Sequence, residues 1–196
     1  MFLKEAIWVN NILKKIKDIK NKIVFDFGSS TDNYRRTIQP YIEKYIFSYL
    51  KNQRTKIIHI DKKKEKDIFN WDLEKPNIDG LIEKIGRADV VLALNLLEHV
   101  KKRDLVLDYI RKCTKIGGII IITVPYNYIF HPDPIDTLFR PSPFELEMLF
   151  SKDSYFKISS RLIEDRLAKK VFIPSINKKI IFRYKVSCLA VKKINE

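Results

Sequence analysis

Glycine and cysteine are both scarce in this chain: its 196 residues include 5 Gly and 2 Cys. The cysteines, Cys113 and Cys188, lie far apart and form no C-x-x-C spacing, which argues against a disulfide framework and against a zinc ribbon. Long apolar runs are missing too. The longest, from Gly117 to Pro125, falls far short of the ~20 residues a membrane helix needs. The N-terminal stretch is dotted with lysine and has no compact apolar core with a cleavage site, so no signal peptide is expected. Repeats and low-complexity linkers are likewise absent. What is there, 45% hydrophobic and 32% charged residues, is ordinary globular composition and excludes a disordered tail, a collagen and a mucin-like stalk. The expectation is one cytoplasmic domain over 1–196 with no transmembrane segment.

Arginine is also in short supply. The net charge is +14, which points at first to nucleic acid, yet 28 Lys stand against 10 Arg. Ile, Lys and Asn make up 69 residues, a bias expected of an AT-rich genome. Arginine is the side chain suited to forked phosphate and guanine contacts, and the lysines are scattered from Lys14 to Lys193. A solvated lysine surface is the favoured reading, and a nucleic-acid partner the less favoured one.

Hydrophobic spacing places an amphipathic helix over 2–20, inside an N-terminal helical segment 1–21, through Ala6, Val9, Leu13, Ile16 and Ile19. It reads as a helix packed on a sheet, with a membrane-surface helix as the alternative. Strands are expected at 22–27, 56–60, 67–70, 89–94 and 119–124, with helices over 40–50, 78–85, 103–115 and 143–151. Residues 28–39 read as a long loop. Two further strands, 155–163 and 180–192, are expected as an antiparallel edge pair. Apolar strands alternating with helices argue for an α/β fold, a Rossmann-like, mainly parallel sheet with helices on both faces. Residues 125–143 hold 5 of the 8 prolines and read as a lid-like loop.

In such sheets the ligand lies beyond the carboxyl ends of the strands. Asp26, Asp61 and Asp72 follow the first three strands, and Asp32 sits where a phosphate-binding helix would begin. A pyrophosphate disfavours nearby carboxylates, which argues against NAD, FAD and a P-loop nucleotide. A ligand with ribose hydroxyls, an adenine amine and positive charge suits them better, and S-adenosylmethionine fits that description.

The segments IVFDFGSS, IIHID, NWDLEKP, ADVVLALNLLEHV and KIGGIIIITVPY, in this order and spacing, resemble the motif series of class I S-adenosylmethionine-dependent methyltransferases over about residues 22–150. The later HPDPIDTLFRPSPFEL is similar to a segment that covers the active site in small-molecule and glycan-linked members. The resemblance implies a seven-stranded sheet with an antiparallel last strand. It implies S-adenosylmethionine as cofactor, with Asp26, Gly28 and Ser30 at the cofactor loop and Asp61 at the ribose. Asp72 would then meet the adenine amine and Asn95 the methionine part. The acceptor would be a small molecule or a glycan or lipid precursor. His131 is the candidate catalytic base, and His99, Tyr126, Asp136 and Arg140 are the candidate substrate-binding residues.

The sequence departs from the family's D-x-G-x-G-x-G loop, since Ser30 and Asp32 stand at its second and third glycines. Lys62 replaces the apolar residue that stacks on adenine. Some relatives hold a metal with the L-E-H-V segment and an acidic residue three positions before its Glu. That position is Asn95 here, so no metal is expected. Each residue also has a plainer reading. Asp26 would bond turn amides, Asp61 and Asp72 would cap turns, and His59 would be structural. Glu98 and His99 would start a helix, His131 would anchor its loop, and Tyr126 and Tyr128 would be packing aromatics. Asp133, Asp136 and Arg140 would staple the loop. Two other functions stay open: a non-catalytic scaffold with a degenerate loop, and an RNA methyltransferase.

Overall fold

The computed structural model describes residues 1–131, 135–173 and 178–196, with backbone alone for 166–173 and 178–182. Its seven strands are β1 (Ile23–Phe27), β2 (Lys56–Asp61), β3 (Ile68–Asn70), β4 (Ala88–Leu94), β5 (Thr114–Asn127), β6 (Tyr155–Ile173) and β7 (Lys178–Lys193). They form one sheet in the order β3-β2-β1-β4-β5-β7-β6. The pairs β1–β2, β1–β4, β2–β3 and β4–β5 are parallel, while β7 runs antiparallel to β5 and β6. The expected Rossmann-like sheet with its antiparallel last strand is thus present. Strand order reverses between β1 and β4, which opens a crevice at their carboxyl ends.

The alternation of side chains along each strand gives the sheet two apolar faces. On one face Phe25, Val91, Ala93, Ile120 and Ile122 meet α4 (Ile78–Ile85) and α5 (Arg103–Cys113). On the other, Val24, Val90, Leu92 and Ile121 meet α1 (Leu3–Lys14) and the helical stretch of α2 (Pro40–Ile42), the π-turn Glu43–Phe47 and α3 (Ser48–Asn52). Cys113 packs in the first layer and Cys188 in the second, so the sheet itself separates the two thiols. The apolar face of α1 is spent on the sheet, since Ala6, Val9 and Leu13 are fully buried. The helix stops at Lys14, earlier than its periodicity suggests, and Asp18 and Asn21 then take left-handed turns into β1. Among the described residues no helix is long and apolar enough to cross a membrane.

Two expectations need correction. The segment 28–39 is only partly loop: Tyr34–Ile38 winds into a π-turn that carries Arg35 inward to 2% exposure. It shows no apolar stripe because its inward residue is charged. β5 also continues to Asn127, so the connection to α6 (Pro143–Met148) begins later than Pro125.

Candidate active site

The crevice opens into a cavity of about 520 Å³, within the range of small-ligand sites. Asp26, Gly28, Ser30, Asp61, Asp72, Asn95, His99 and His131 all line it, so the expected cofactor loop and two of the expected acceptor-side residues come together. Asp61, Lys62, Trp71 and Asp72 lie at the β2–β3 end. Glu98, His99, Tyr128 and His131 lie at the β4–β5 end, and Met1 and Phe2 close over the space between.

The cofactor-loop region keeps a glycine-like path without the usual glycines. Gly28 has φ +70°, and a Cβ there would come within 2.7 Å of Leu96 Cδ1. Ser30 takes φ +55°, which a small polar residue tolerates better than a branched one. The Ser30 amide donates to Asp61 Oδ2 at 2.9 Å, and the Lys63 amide donates to Asp61 Oδ1 at 3.0 Å. The Arg35 guanidinium, itself in the cavity lining, donates to the carbonyls of Ser29 and Ser30, at 2.9 and 2.7 Å. Asp32, the largest departure from the family's loop, stays outside the cavity, its Oδ1 2.9 Å from Arg36 Nε and 3.6 Å from Nη2 of the buried Arg35. Asp26 faces His59, its register partner on β2, with Nδ1 2.8 Å from Oδ2. His59 in turn sets its ring edge on Phe47, which agrees with its structural reading. Asp72 accepts from the Glu74 amide. Asn95 takes φ +51°, which ends β4 sharply, and its side chain donates to Glu5 Oε1 at 2.9 Å.

The acceptor-side expectations divide. His131 lines the cavity, but Asp136 and Arg140 stand behind it rather than facing the space. Asp136 Oδ2 is 3.1 Å from His131 Nδ1 and 2.5 Å from Arg140 Nη2. Burial opposes the Asp136 charge, but Arg140 and the amides of Leu138 and His131 outweigh it and hold the carboxyl down at about 2. Tyr126 is exposed and outside the cavity, while Pro125 before it lines the wall. Tyr128 is the aromatic that lines it, against Phe2, Tyr184 and His131. Asp133 lies outside the described residues.

The segment after residue 134 is a stapled structure. Thr137 donates through its amide and its hydroxyl to the Glu98 carbonyl, at 2.9 and 3.0 Å. Arg103 bonds Thr137 Oγ1 and lies 3.7 Å from the centroid of the Phe139 ring. The Ile135 carbonyl meets His99 Nδ1. These bonds press the segment onto the turn Leu97–His99, where Glu98 is fully buried and neither carboxylate oxygen has a hydrogen-bond partner among the described residues. Burial lifts the Glu98 carboxyl to about 8 and holds the His99 imidazole below its ordinary value. Sequence reasoning left Glu98 and Arg35 as background. Glu98 follows the last residue of β4 by four positions and Arg35 that of β1 by eight, and neither spacing signals burial.

No family model matches the chain, and no curated protein matches it in sequence. Solved structures do match in shape. A Listeria monocytogenes protein assigned as an S-adenosylmethionine-dependent methyltransferase superimposes with a TM-score of 0.54 at 12% identity, over 100% of both chains. The fold is that of the class I S-adenosylmethionine-dependent methyltransferases. Two further structures of this methyltransferase fold are similar. A precorrin-6y C5,15-methyltransferase from Geobacter metallireducens gives 0.52 at 11% identity, covering 96% of this chain and 88% of that one. The Burkholderia thailandensis 1,6-didemethyltoxoflavin-N1-methyltransferase, with its substrate and S-adenosylhomocysteine bound, gives 0.52 at 14% identity, covering 97% and 78%.

Proposed function

We propose that this chain is an S-adenosylmethionine-dependent methyltransferase acting on a small molecule or a glycan or lipid precursor. The observation that carries the reading is the alignment of Asp26, Asp61 and Asp72 along one end of a single cavity. Three acidic groups at successive strand ends suit ribose hydroxyls, an adenine amine and an ammonium, and they repel phosphate. The loop supports this. Ser30 follows the left-handed path of a glycine, Arg35 braces its carbonyls, and Asp32 stays outside the cavity. Asp61 would take the ribose, Asp72 the adenine edge, and the Asp26–Asn95 side the methionine part.

The acceptor would enter between Tyr128, His99 and His131, beneath the stapled segment that follows residue 134. A site roofed by Phe2 and Tyr128 suits an acceptor smaller than a folded macromolecule. The small-molecule acceptors of the toxoflavin and precorrin enzymes accord with that, and the lysines are scattered along the sequence. Methyl transfer itself needs alignment and exclusion of water more than acid–base force. His131 would handle the acceptor's proton through Nε2, since its Nδ1 meets the Ile129 carbonyl at 3.2 Å and lies 3.1 Å from Asp136 Oδ2.

Calorimetry with S-adenosylmethionine and S-adenosylhomocysteine tests the reading. Saturable binding that Asp61→Ala weakens supports it. No binding at millimolar ligand overturns it in favour of the scaffold.

A further inference from the structure

We infer that Glu98, His99 and His131 form a binding site for one first-row divalent transition-metal ion at the acceptor end of the cavity. Each offers one ligand atom, and the three atoms lie within 4.8 Å of one another. His99 Nε2 is already 3.7 Å from Glu98 Oε1. Ligand atoms bound at about 2.1 Å lie roughly 3.0–3.5 Å apart, so side-chain rotations of an ångström or so close the set.

Three independent features mark a site built for a cation. The Glu98 carboxylate is fully buried at the cavity wall, and both its oxygens lack a hydrogen-bond partner among the described residues. A buried carboxylate without partners is costly, and a bound cation removes that cost. Next, both imidazoles are oriented from behind. His99 Nδ1 meets the Ile135 carbonyl, and His131 Nδ1 meets the Ile129 carbonyl at 3.2 Å, with the Asp136 carboxylate, which Arg140 fixes, 3.1 Å away. Each ring therefore presents Nε2, the arrangement by which backbone carbonyls and carboxylates orient metal-bound histidines. Finally, the ligands come from two segments, the turn Leu97–His99 and residue 131, and the neighbours Asp136 and Thr137 tie them together, Asp136 accepting the His131 amide and Thr137 donating to the Glu98 carbonyl.

The donor set selects the ion. Two imidazoles and one carboxylate suit zinc, iron, cobalt, nickel or manganese, and they disfavour magnesium and calcium, which prefer all-oxygen shells. Asn95 is not a ligand, because its side chain is committed to Glu5. Three protein ligands leave positions open toward the cavity, as in catalytic rather than structural sites.

The inference rests on the methyltransferase reading for its use, and it names the acceptor class: a hydroxyl compound whose oxygen occupies an open position. There the cation favours loss of the hydroxyl proton to water. The oxygen lone pair then forms the C–O bond, the S–CH3 bond breaks, and its electron pair stays on sulfur as the sulfonium becomes a thioether. His131 is in this case a ligand, and the acid–base work passes to the cation.

The test uses the full chain, stripped with a chelator and dialysed, then titrated with zinc chloride by calorimetry and with cobalt chloride by visible absorption. One ion per chain is expected, with cobalt bands of a low-coordinate nitrogen–oxygen site. Glu98→Gln and His131→Ala should each weaken binding at least about tenfold, and Asn95→Ala should change it less than about twofold. Melting curves of each variant check that it folds, and the wild-type titration needs no variant. Lack of a stoichiometric ion, or equal affinity in wild type and Glu98→Gln, overturns the site. S-adenosylhomocysteine affinity is measured in parallel. Cofactor binding without metal binding removes only the metal site, and metal binding without cofactor binding removes only the methyltransferase reading.

Discussion

Glu5 and Asn95 lie 90 positions apart in sequence, yet Asn95 Nδ2 donates to Glu5 Oε1 at 2.9 Å, while Glu5 Oε2 accepts the Phe2 amide. One buried carboxylate thereby ties the first turn of α1 to the turn that ends β4. It also holds Phe2, whose ring stacks on Tyr184 with centroids 5.6 Å apart, in its place over the cavity.

Glu5→Ala should leave the Phe2 amide and the Asn95 side chain without partners. The expected loss is about 1–3 kcal/mol, on the order of 2–4 °C in Tm per kcal/mol for a chain of this length. S-adenosylhomocysteine affinity should fall with it, because Asn95 and Phe2 lose their anchor. Glu5→Gln keeps one acceptor oxygen and should lose less. Thermal melts and calorimetry on both variants decide the matter. An unchanged Kd in Glu5→Ala would show that the N-terminal turn takes no part in binding.

Gly28→Ala meets two penalties. The positive φ strains any residue with a Cβ, and that Cβ would come within 2.7 Å of Leu96 Cδ1. We expect a loss of roughly 1–3 kcal/mol in stability. Leu96→Ala removes the collision but not the φ strain, so the double variant should recover part of the loss. A double-mutant cycle in Tm and Kd measures the share, and strict additivity would place the whole cost in the backbone.

The elements were legible in the sequence wherever burial imposes a period. DVVLAL and IIIITV are apolar on both sides because both faces of the sheet are covered, whereas the helix expected over 103–115 stops at Cys113, because β5 begins at Thr114 and already includes Gly117. Asp26, Asp61 and Asp72 were legible because strand ends in such a sheet face the crevice. Arg35 and Glu98 were not. Charged residues read as solvent-facing, and nothing local says that Arg35 will meet the carbonyls of Ser29 and Ser30, or that Thr137 will cap the turn over Glu98. Asp136 and Arg140 were placed in the right neighbourhood but on the wrong side of His131, since sequence spacing cannot tell facing a cavity from backing its wall.

Arg35→Met should test that missed brace. The apolar replacement fills similar volume but leaves the carbonyls of Ser29 and Ser30 without their guanidinium donor. The loop should lose its shape, and S-adenosylhomocysteine should bind about ten- to a hundredfold more weakly, the equivalent of about 1.4–2.8 kcal/mol. Lys should not rescue it fully, because an ammonium lacks the planar fork. Retained affinity in Arg35→Met would mean that Asp61 alone shapes the loop.

At the opposite end of the sheet, Asp89 joins three strands: its carboxylate accepts the Ile23 amide at 2.9 Å and meets Lys115 at 3.0 Å and Lys22 at 3.7 Å. Burial works against its charge, but the Ile23 amide and Lys115 outweigh it, so its pKa lies below the ordinary carboxylate value. A depressed pKa in the fold means that the unfolded chain takes up its proton first as pH falls. The stabilisation is therefore complete above the ordinary Asp value near 4 and disappears as pH drops through the lower folded value. Asp89→Asn should cost about 1–2 kcal/mol at neutral pH and flatten the acid limb of the stability curve. Cofactor affinity should stay within about twofold, since Asp89 is remote from the crevice. An acid limb that does not change would assign acid sensitivity to other carboxylates.

Asp61 and His131 should separate binding from turnover. Asp61 stands at the end of β2, where it accepts amide bonds from Ser30 and Lys63, while His131 stands at the β4–β5 end beside His99 and Tyr128. Asp61→Ala removes the proposed ribose partner and also frees the Ser30 amide, so it should weaken S-adenosylhomocysteine by at least about tenfold. His131→Ala removes no contact on the proposed cofactor end and should leave that affinity within about twofold. Turnover on a hydroxyl acceptor should nevertheless fall by about 10²–10⁴-fold, the usual contribution of a positioned acid–base group and the least expected if a cation ligand is lost. The two roles of His131 part on treatment with a chelator. A free base is indifferent to it, whereas a ligand loses activity that added zinc or cobalt restores. Full turnover in His131→Ala would exclude both roles and leave the stapled segment after residue 134 as a cover without chemistry of its own.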